Sequence, residues 1–273
     1  MTTLEDWAAA LRSWEIPEEI KARAPETPWG FPSEPFVHRA EAATDRATSP
    51  SDRRALEALP AGGSVLDVGA GAGAASLALA ERAGLIVAVD PSEEMLREFL
   101  SFAERRGLEA RAVVGSWPEA ASEVEPADVV VCHHVLYNVP DLEPFVRALD
   151  DRARHRVVLE ITAGHPLSWM NDLWMRFHDL PRPERPTSDD AERALQELGL
   201  RVLREDHQEA ITSGGFRRRE AQVAFIRKRL CLRPEQDGEL AVALGPRLRE
   251  VGGLWTALPE RSRDTTLWWD TRS

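Results

Sequence analysis

The chain has 273 residues, and 34 Lys and Arg against 46 Asp and Glu give a formal net charge of −12. That balance disfavours a function dominated by non-specific grip of nucleic-acid phosphates, which needs a basic surface, and leaves room for a locally basic RNA or DNA site. No apolar run approaches the ~18 residues of a membrane span, and the start is acidic and amphipathic, unlike a secretory leader. Cys132 and Cys231 lack the C-x-x-C spacing of a zinc ribbon, so no disulfide framework and no metal site are expected. The expected protein is cytoplasmic, a monomer or homodimer, with a small-molecule partner and neither nucleic acid nor membrane. Nine Trp and eight Phe against one Tyr stand out, since Trp in number often lines large amphipathic surfaces.

Residues 1–60 are expected to form a helical arm or lid, punctuated by Pro17, Pro25, Pro28, Pro32 and Pro35. Residues 24–32 (APETPWGFP) exclude a long helix or a central strand. From Ser64 the pattern turns to strand–helix alternation. Strands are predicted at 64–68, 85–89, 111–114, 128–132 and 156–161, with helices over 74–83, from Ser92, and from Asp141 to Asp150. Short apolar strands alternating with helices imply a parallel sheet covered on both faces. Residues 165–180 predict a Trp-bearing helix, 188–199 another, and 200–205 and 220–227 two last strands. A core over 61–233 and a helical tail over 234–273 complete the expected organisation.

The stretch VLDVGAGAG at 65–73 carries the most chemistry. Its glycines permit a tight strand-to-helix turn and close backbone approach to a ligand. Gly69, Gly71 and Ala74 also satisfy the dinucleotide pattern G-x-G-x-x-G/A, and Asp90 fits a ribose-binding acid in either case. Asp67 separates the two, because a carboxylate beside the turn repels a diphosphate and favours a cationic ligand.

Asp67 with the three glycines resembles motif I of the Rossmann-like (class I) S-adenosylmethionine-dependent methyltransferases of small-molecule type. The likeness continues through Asp90 in VAVDPS, Gly115-Ser116-Trp117, and DVVVCHHVLY at 128–137, and covers roughly residues 64–229. It implies an α/β fold: a seven-stranded, mostly parallel sheet, helices on both faces, the final strand antiparallel, and the helical arm added. S-adenosylmethionine, leaving as S-adenosylhomocysteine, is the implied cofactor. Its implied contacts are Asp67, Gly69, Gly71, Gly73, Asp90, Pro91, Met95, Ser116, Trp117, Cys132 and His133.

Methyl transfer to an alcohol, phenol or protonated amine requires proton removal, and His134 or His133 is the candidate base. Trp29, Phe31, Tyr137, Asn138, Glu160, Trp169 and His178 are the candidate acceptor-pocket residues. Three other readings remain open: an RNA or protein methyltransferase, a non-catalytic cofactor-binding module, and an NAD-linked oxidoreductase. The tryptophans fall outside the first five predicted strands, which points them at the acceptor pocket.

Overall fold

The computed structural model describes residues 2–30, 32–43, 48–210 and 214–271. Four helices come first: α1 (Thr3–Arg12), α2 (Glu18–Lys21), α3 (Glu34–Ala42) and α4 (Pro50–Ala58). The alternating core follows as β1 (Gly63–Val68), β2 (Ala83–Asp90), α5 (Glu93–Arg105), β3 (Ala110–Val114), β4 (Ala127–His133), α6 (Leu142–Arg152) and β5 (Ala153–Thr162). Then come α7 (Asn171–His178), α8 (Ser188–Glu197), β6 (Leu203–Ala210), α9 (Arg219–Arg229) and α10 (Asp237–Leu244). A short hairpin, β7 (Arg249–Val251) and β8 (Leu254–Thr256), precedes the last strand, β9 (Arg261–Asp270).

The main sheet has seven strands in the order β3-β2-β1-β4-β5-β9-β6. β1 to β5 are parallel, and β9 runs antiparallel to both β5 and β6. This is the expected α/β architecture, with apolar side chains sent to both faces. Val65, Ala88, Val129, Val131, Val158 and Trp268 pack against α4 and α5 through Ala55, Leu59, Phe99 and Phe102. Leu66, Val130, Leu159, Leu267 and Trp269 pack against α1, α6 and α8 through Trp7, Phe145, Leu149 and Leu195. A third apolar cluster joins the α2 region, α7, α9 and α10 through Ile16, Trp174, Ile226 and Leu240.

Three expectations are corrected. Residues 220–227 are helical, because Val223, Ile226 and Leu230 recur at helical spacing and are all buried. The missing strand lies inside the supposed helical tail: β9 enters the sheet, with Leu267 beside Leu159 and Trp268 beside Val158. Residues 74–83 form no full helix, only turns and a 3-10 turn at Leu77–Leu79. There the Ser76 amide donates to Asp67 Oδ2 at 3.3 Å, which diverts it from the helical ladder.

The arm is not one lid. α1 and α4 belong to opposite faces of the core, whereas α3 lies over the glycine turn. A Cβ on Gly71 would stand 3.8 Å from Phe36 of α3. The Glu34 side chain accepts the Arg217 amide at 2.7 Å, and the His38 ring meets the Gly215 carbonyl at 3.2 Å. The arm and the insertion between β6 and β9 therefore converge beside the turn.

Candidate cofactor and catalytic site

The glycine turn closes at the carboxyl end of β1, the usual ligand edge of an open α/β sheet. Gly69, Gly71 and Gly73 all take positive φ, at 70°, 54° and 89°. A Cβ on Gly69 would come within 2.4 Å of Val135 Cγ2, and one on Gly73 within 2.5 Å of Phe99. Only glycine lets the turn press this closely on the loop after β4 and on α5. The Gly69, Gly71 and Gly73 amides donate to the Val89 carbonyl, Asp90 Oδ2 and the Ala70 carbonyl, each at 2.8 Å, so the cradle is a close-packed backbone surface held by internal hydrogen bonds.

Two carboxylates hold the turn. Asp67 is buried beneath it and accepts the Ser76 hydroxyl at 2.6 Å. Burial pushes its carboxyl up to about 7, with the Asp90 charge adding a little and the Ser76 hydrogen bonds opposing. Asp90 ends β2 and accepts the Gly71 amide through one oxygen and the Ser92 amide through the other, both at 2.8 Å. Both oxygens are thus already tied to backbone, which fixes their direction. Next to Asp90, Pro91 leads into α5, whose cap Ser92 accepts the Met95 amide at 3.3 Å.

Several expected contacts face inward. The Met95 side chain is buried in the α4–α5 layer. Cys132 is fully buried in the opposite layer, and burial holds its thiol well above its usual value. Ser116 follows β3 on the exposed rim, and Trp117 leans on α6, donating to the Phe145 carbonyl at 3.2 Å. A cavity of about 370 Å3 lies outside Trp117, lined by Glu119, Asn138, Asp141 and Phe145 among others.

The two histidines meet Glu160. His133 on β4 is the register partner of Glu160 on β5. His134 follows in the left-handed region, φ 60°, a conformation that costs a non-glycine residue ~1–3 kcal/mol. Its Nε2 lies 3.1 Å from Glu160 Oε1, and its ring stays 36% exposed against 14% for the Glu160 side chain. Ser51 of α4 donates its hydroxyl to Glu160 Oε2, Ser51 and Thr266 Oγ atoms stand 2.8 Å apart, and His207 Nε2 approaches Oε2 at 3.8 Å. Burial alone would raise the Glu160 carboxyl. The charges of His133 and His134 and the hydrogen bonds from His134 and Ser51 outweigh it and hold the group far below the usual carboxylate range. Sequence reasoning found His133, His134 and Glu160 but missed Ser51, His207 and Thr266, which carry no local signal. Among the described residues, no group of His, Cys, Asp and Glu is arranged to hold a metal ion.

The remaining acceptor candidates do not gather here. Tyr137 is buried, donates to the Thr162 carbonyl at 2.6 Å and stacks on Trp7, so its hydroxyl is spent internally and held above its usual pKa by burial. Exposed Asn138 donates to its own loop at Val135. The His178 ring meets the Leu230 carbonyl at 2.6 Å, and Trp169 packs in the third cluster, both remote in contact from His134. Trp29 is 49% exposed, and Arg229 of α9 grips its neighbours' carbonyls at Pro28 and Gly30. Phe31 lies outside the described residues.

The tryptophan expectation is corrected as well. Trp7, Trp14, Trp174, Trp268 and Trp269 are buried. Trp7 and Trp14 donate to the Val139 and Arg185 carbonyls, and Trp269 donates to Asp150. Most of these rings are structural because their N–H groups find partners within the core.

Residues 65–155 match the family described as Methyltransferase domain. Among solved structures the chain is similar to the YcgJ protein of Bacillus subtilis, with 18% identity over 82% of this chain and 98% of that one, TM-score 0.50. It is similar to magnesium protoporphyrin IX methyltransferase of Synechocystis PCC 6803 with bound S-adenosylhomocysteine, at 15% identity over 98% of each chain, TM-score 0.51. Coclaurine N-methyltransferase, bound to N-methylheliamine and S-adenosylhomocysteine, matches at 15% identity over 97% of this chain and 85% of its own, TM-score 0.50. No curated protein sequence matches. Identities this low establish the fold alone, and the family match adds the domain. Residues 65–155 thus match a methyltransferase domain, and the chain has the Rossmann-like fold seen in class I S-adenosylmethionine-dependent methyltransferases.

Proposed function

We propose that the chain methylates a small-molecule acceptor bearing an O–H or N–H proton, using S-adenosylmethionine and taking that proton on His134. The carrying observation is the contact chain from cofactor turn to base. Val135 packs directly on Gly69, and the residue before it, His134, is held by Glu160. The loop that carries the base therefore packs on the turn that forms the cradle. Among the described residues no helix is long and apolar enough to cross a membrane, which suits a small-molecule site open to water.

The close-packed backbone of the turn at Gly69, Gly71 and Gly73 would lie against the methionine end of the cofactor, and buried Asp67 would favour its ammonium. Asp90, with Pro91 and Met95 behind it, would border the ribose, and Ser116 and Trp117 the adenine side. When bound, S-adenosylmethionine would supply an electrophilic sulfonium methyl for in-line transfer to the acceptor, with S-adenosylhomocysteine as the leaving thioether. Glu160 orients the His134 ring by accepting from Nε2, which leaves Nδ1 to take the acceptor's proton. The imidazolium so formed lies against the ionised Glu160 carboxylate. His133, alongside Glu160, would contribute through its backbone at the cofactor edge. General-base action of this kind is worth about 10²–10⁴ in rate.

Calorimetric titration with S-adenosylmethionine and S-adenosylhomocysteine, followed by methyl transfer to a panel of phenols, alcohols and amines, tests the reading. Binding of both ligands and turnover on one acceptor class are expected. Binding without turnover on any acceptor would favour a non-catalytic module, and failure to bind would remove the reading altogether.

A further inference from the structure

The side chains behind Glu160 form a chain with one consistent direction of donation. Ser51 has a single hydroxyl proton, and it is directed to Glu160 Oε2. The 2.8 Å contact between Ser51 Oγ and Thr266 Oγ1 must then run from Thr266 to Ser51. The order is Thr266 to Ser51 to Glu160 Oε2, with His134 Nε2 on Oε1. These groups come from four elements: β9, α4, β5 and the end of β4. Ser51 and Thr266 are fully buried, so water does not compete for their hydroxyls.

The geometry around Ser51 is rigid. Ser49 caps α4 in a reciprocal box with Asp52, and Pro50 opens the helix, which fixes Ser51 in its first turn. Thr266 is locked by the sheet, paired with Glu160 on one side and Glu205 on the other. The other ionisable groups facing Glu160 are His133 from β4 and His207 from β6, and Asp264 of β9 is the register partner of His207.

We propose that Ser51 and Thr266 are positioning residues that, through Glu160, set the tautomer and the basicity of His134. The inference rests on His134 being the base, yet its first readout needs no acceptor. Each hydrogen bond donated to a carboxylate spreads its charge and weakens its hold on a neighbouring imidazolium. With the relay intact, Glu160 pins His134 as the Nε2–H tautomer and leaves Nδ1 free to accept a proton. Without the Ser51 donor, the charge concentrates on the carboxylate and His134 holds its proton more tightly.

The test is a nitrogen-15 histidine NMR titration of the full chain. Wild type should show His134 as the Nε2–H tautomer. Ser51→Ala should raise the His134 midpoint by about 0.5–1 pH unit. Thr266→Val, close in shape and lacking the hydroxyl, should raise it less, and Ser51→Thr, which keeps the hydroxyl, should restore the wild-type midpoint. An Nδ1–H tautomer in wild type, or unchanged midpoints in folded Ser51→Ala and Thr266→Val, overturns the relay. The acid limb of the kcat profile separates the two layers. A limb that follows the midpoint supports both readings. A midpoint that moves without the limb keeps the relay and removes His134 as base.

Discussion

His134 and Glu160 meet twice. The His134 amide donates to the Glu160 carbonyl at 2.6 Å, and its Nε2 lies 3.1 Å from the Glu160 carboxylate. The backbone contact holds the residue in its left-handed conformation, and the side-chain contact then has no freedom to choose another partner. Replacing His134 by Asn should lower kcat about 10²–10⁴-fold with cofactor affinity within a few fold of wild type. Single-turnover kinetics beside calorimetry checks this, and full turnover by the variant would sink the base assignment.

Gly69 makes a sharper test of the cradle than the other glycines. A methyl group there meets Val135 at 2.4 Å with φ at +70°, whereas one on Gly107, φ +65°, meets nothing within 4 Å. Gly69→Ala should weaken S-adenosylmethionine binding at least tenfold, and Gly107→Ala should leave it unchanged. Equal affinities in the two variants would show that the turn does not hold the cofactor.

Asp67 gives a pH signature. Its folded carboxyl is raised to about 7 from 3.8, so the folded state binds the extra proton between those values. Stability therefore falls as pH rises through that window, by a few kcal/mol at most. Asp67→Asn should flatten the decline between pH 5 and 7 in thermal unfolding. A bound cation close by reverses the preference, so cofactor binding should release a proton, seen as buffer-dependent calorimetric heat.

His165 sets the acid side. Burial, then the nearby Arg182 charge, lowers its imidazole to about 3, and its ring stacks on Trp14 at 3.6 Å. The unfolded chain takes up the proton near 6.5 and the folded chain does not, so stability is lost as pH falls below that value. His165→Phe should lessen the loss between pH 6.5 and 4 while keeping the stack. An identical acid profile in the variant would place the sensitivity elsewhere.

The cofactor half of the site was legible because its signals are local. Asp67, the glycines and Asp90 lie within one strand–turn–strand unit, and a tight turn at a strand end admits few residue types. The histidines were legible by position, since the end of β4 adjoins the turn in a parallel sheet. The acceptor side was not. Trp268 and Trp269 resembled pocket aromatics, yet Trp268 packs beneath the Arg54 guanidinium and Trp269 ties to Asp150. Residues 264–269 are all buried and show no period-2 alternation, so nothing local marked the strand or named its partners.

The sequence by itself determined the alternating α/β core, the glycine turn and its two acids, because period and spacing act over a few residues. Only the tertiary structure decided that β9 enters between β5 and β6. That insertion brings Thr266 beside Glu160, while α4 delivers Ser51 from 109 positions away and Thr266 stands 215 positions from Ser51. Strand order depends on which buried faces satisfy one another across the whole sheet. No local pattern carries that information.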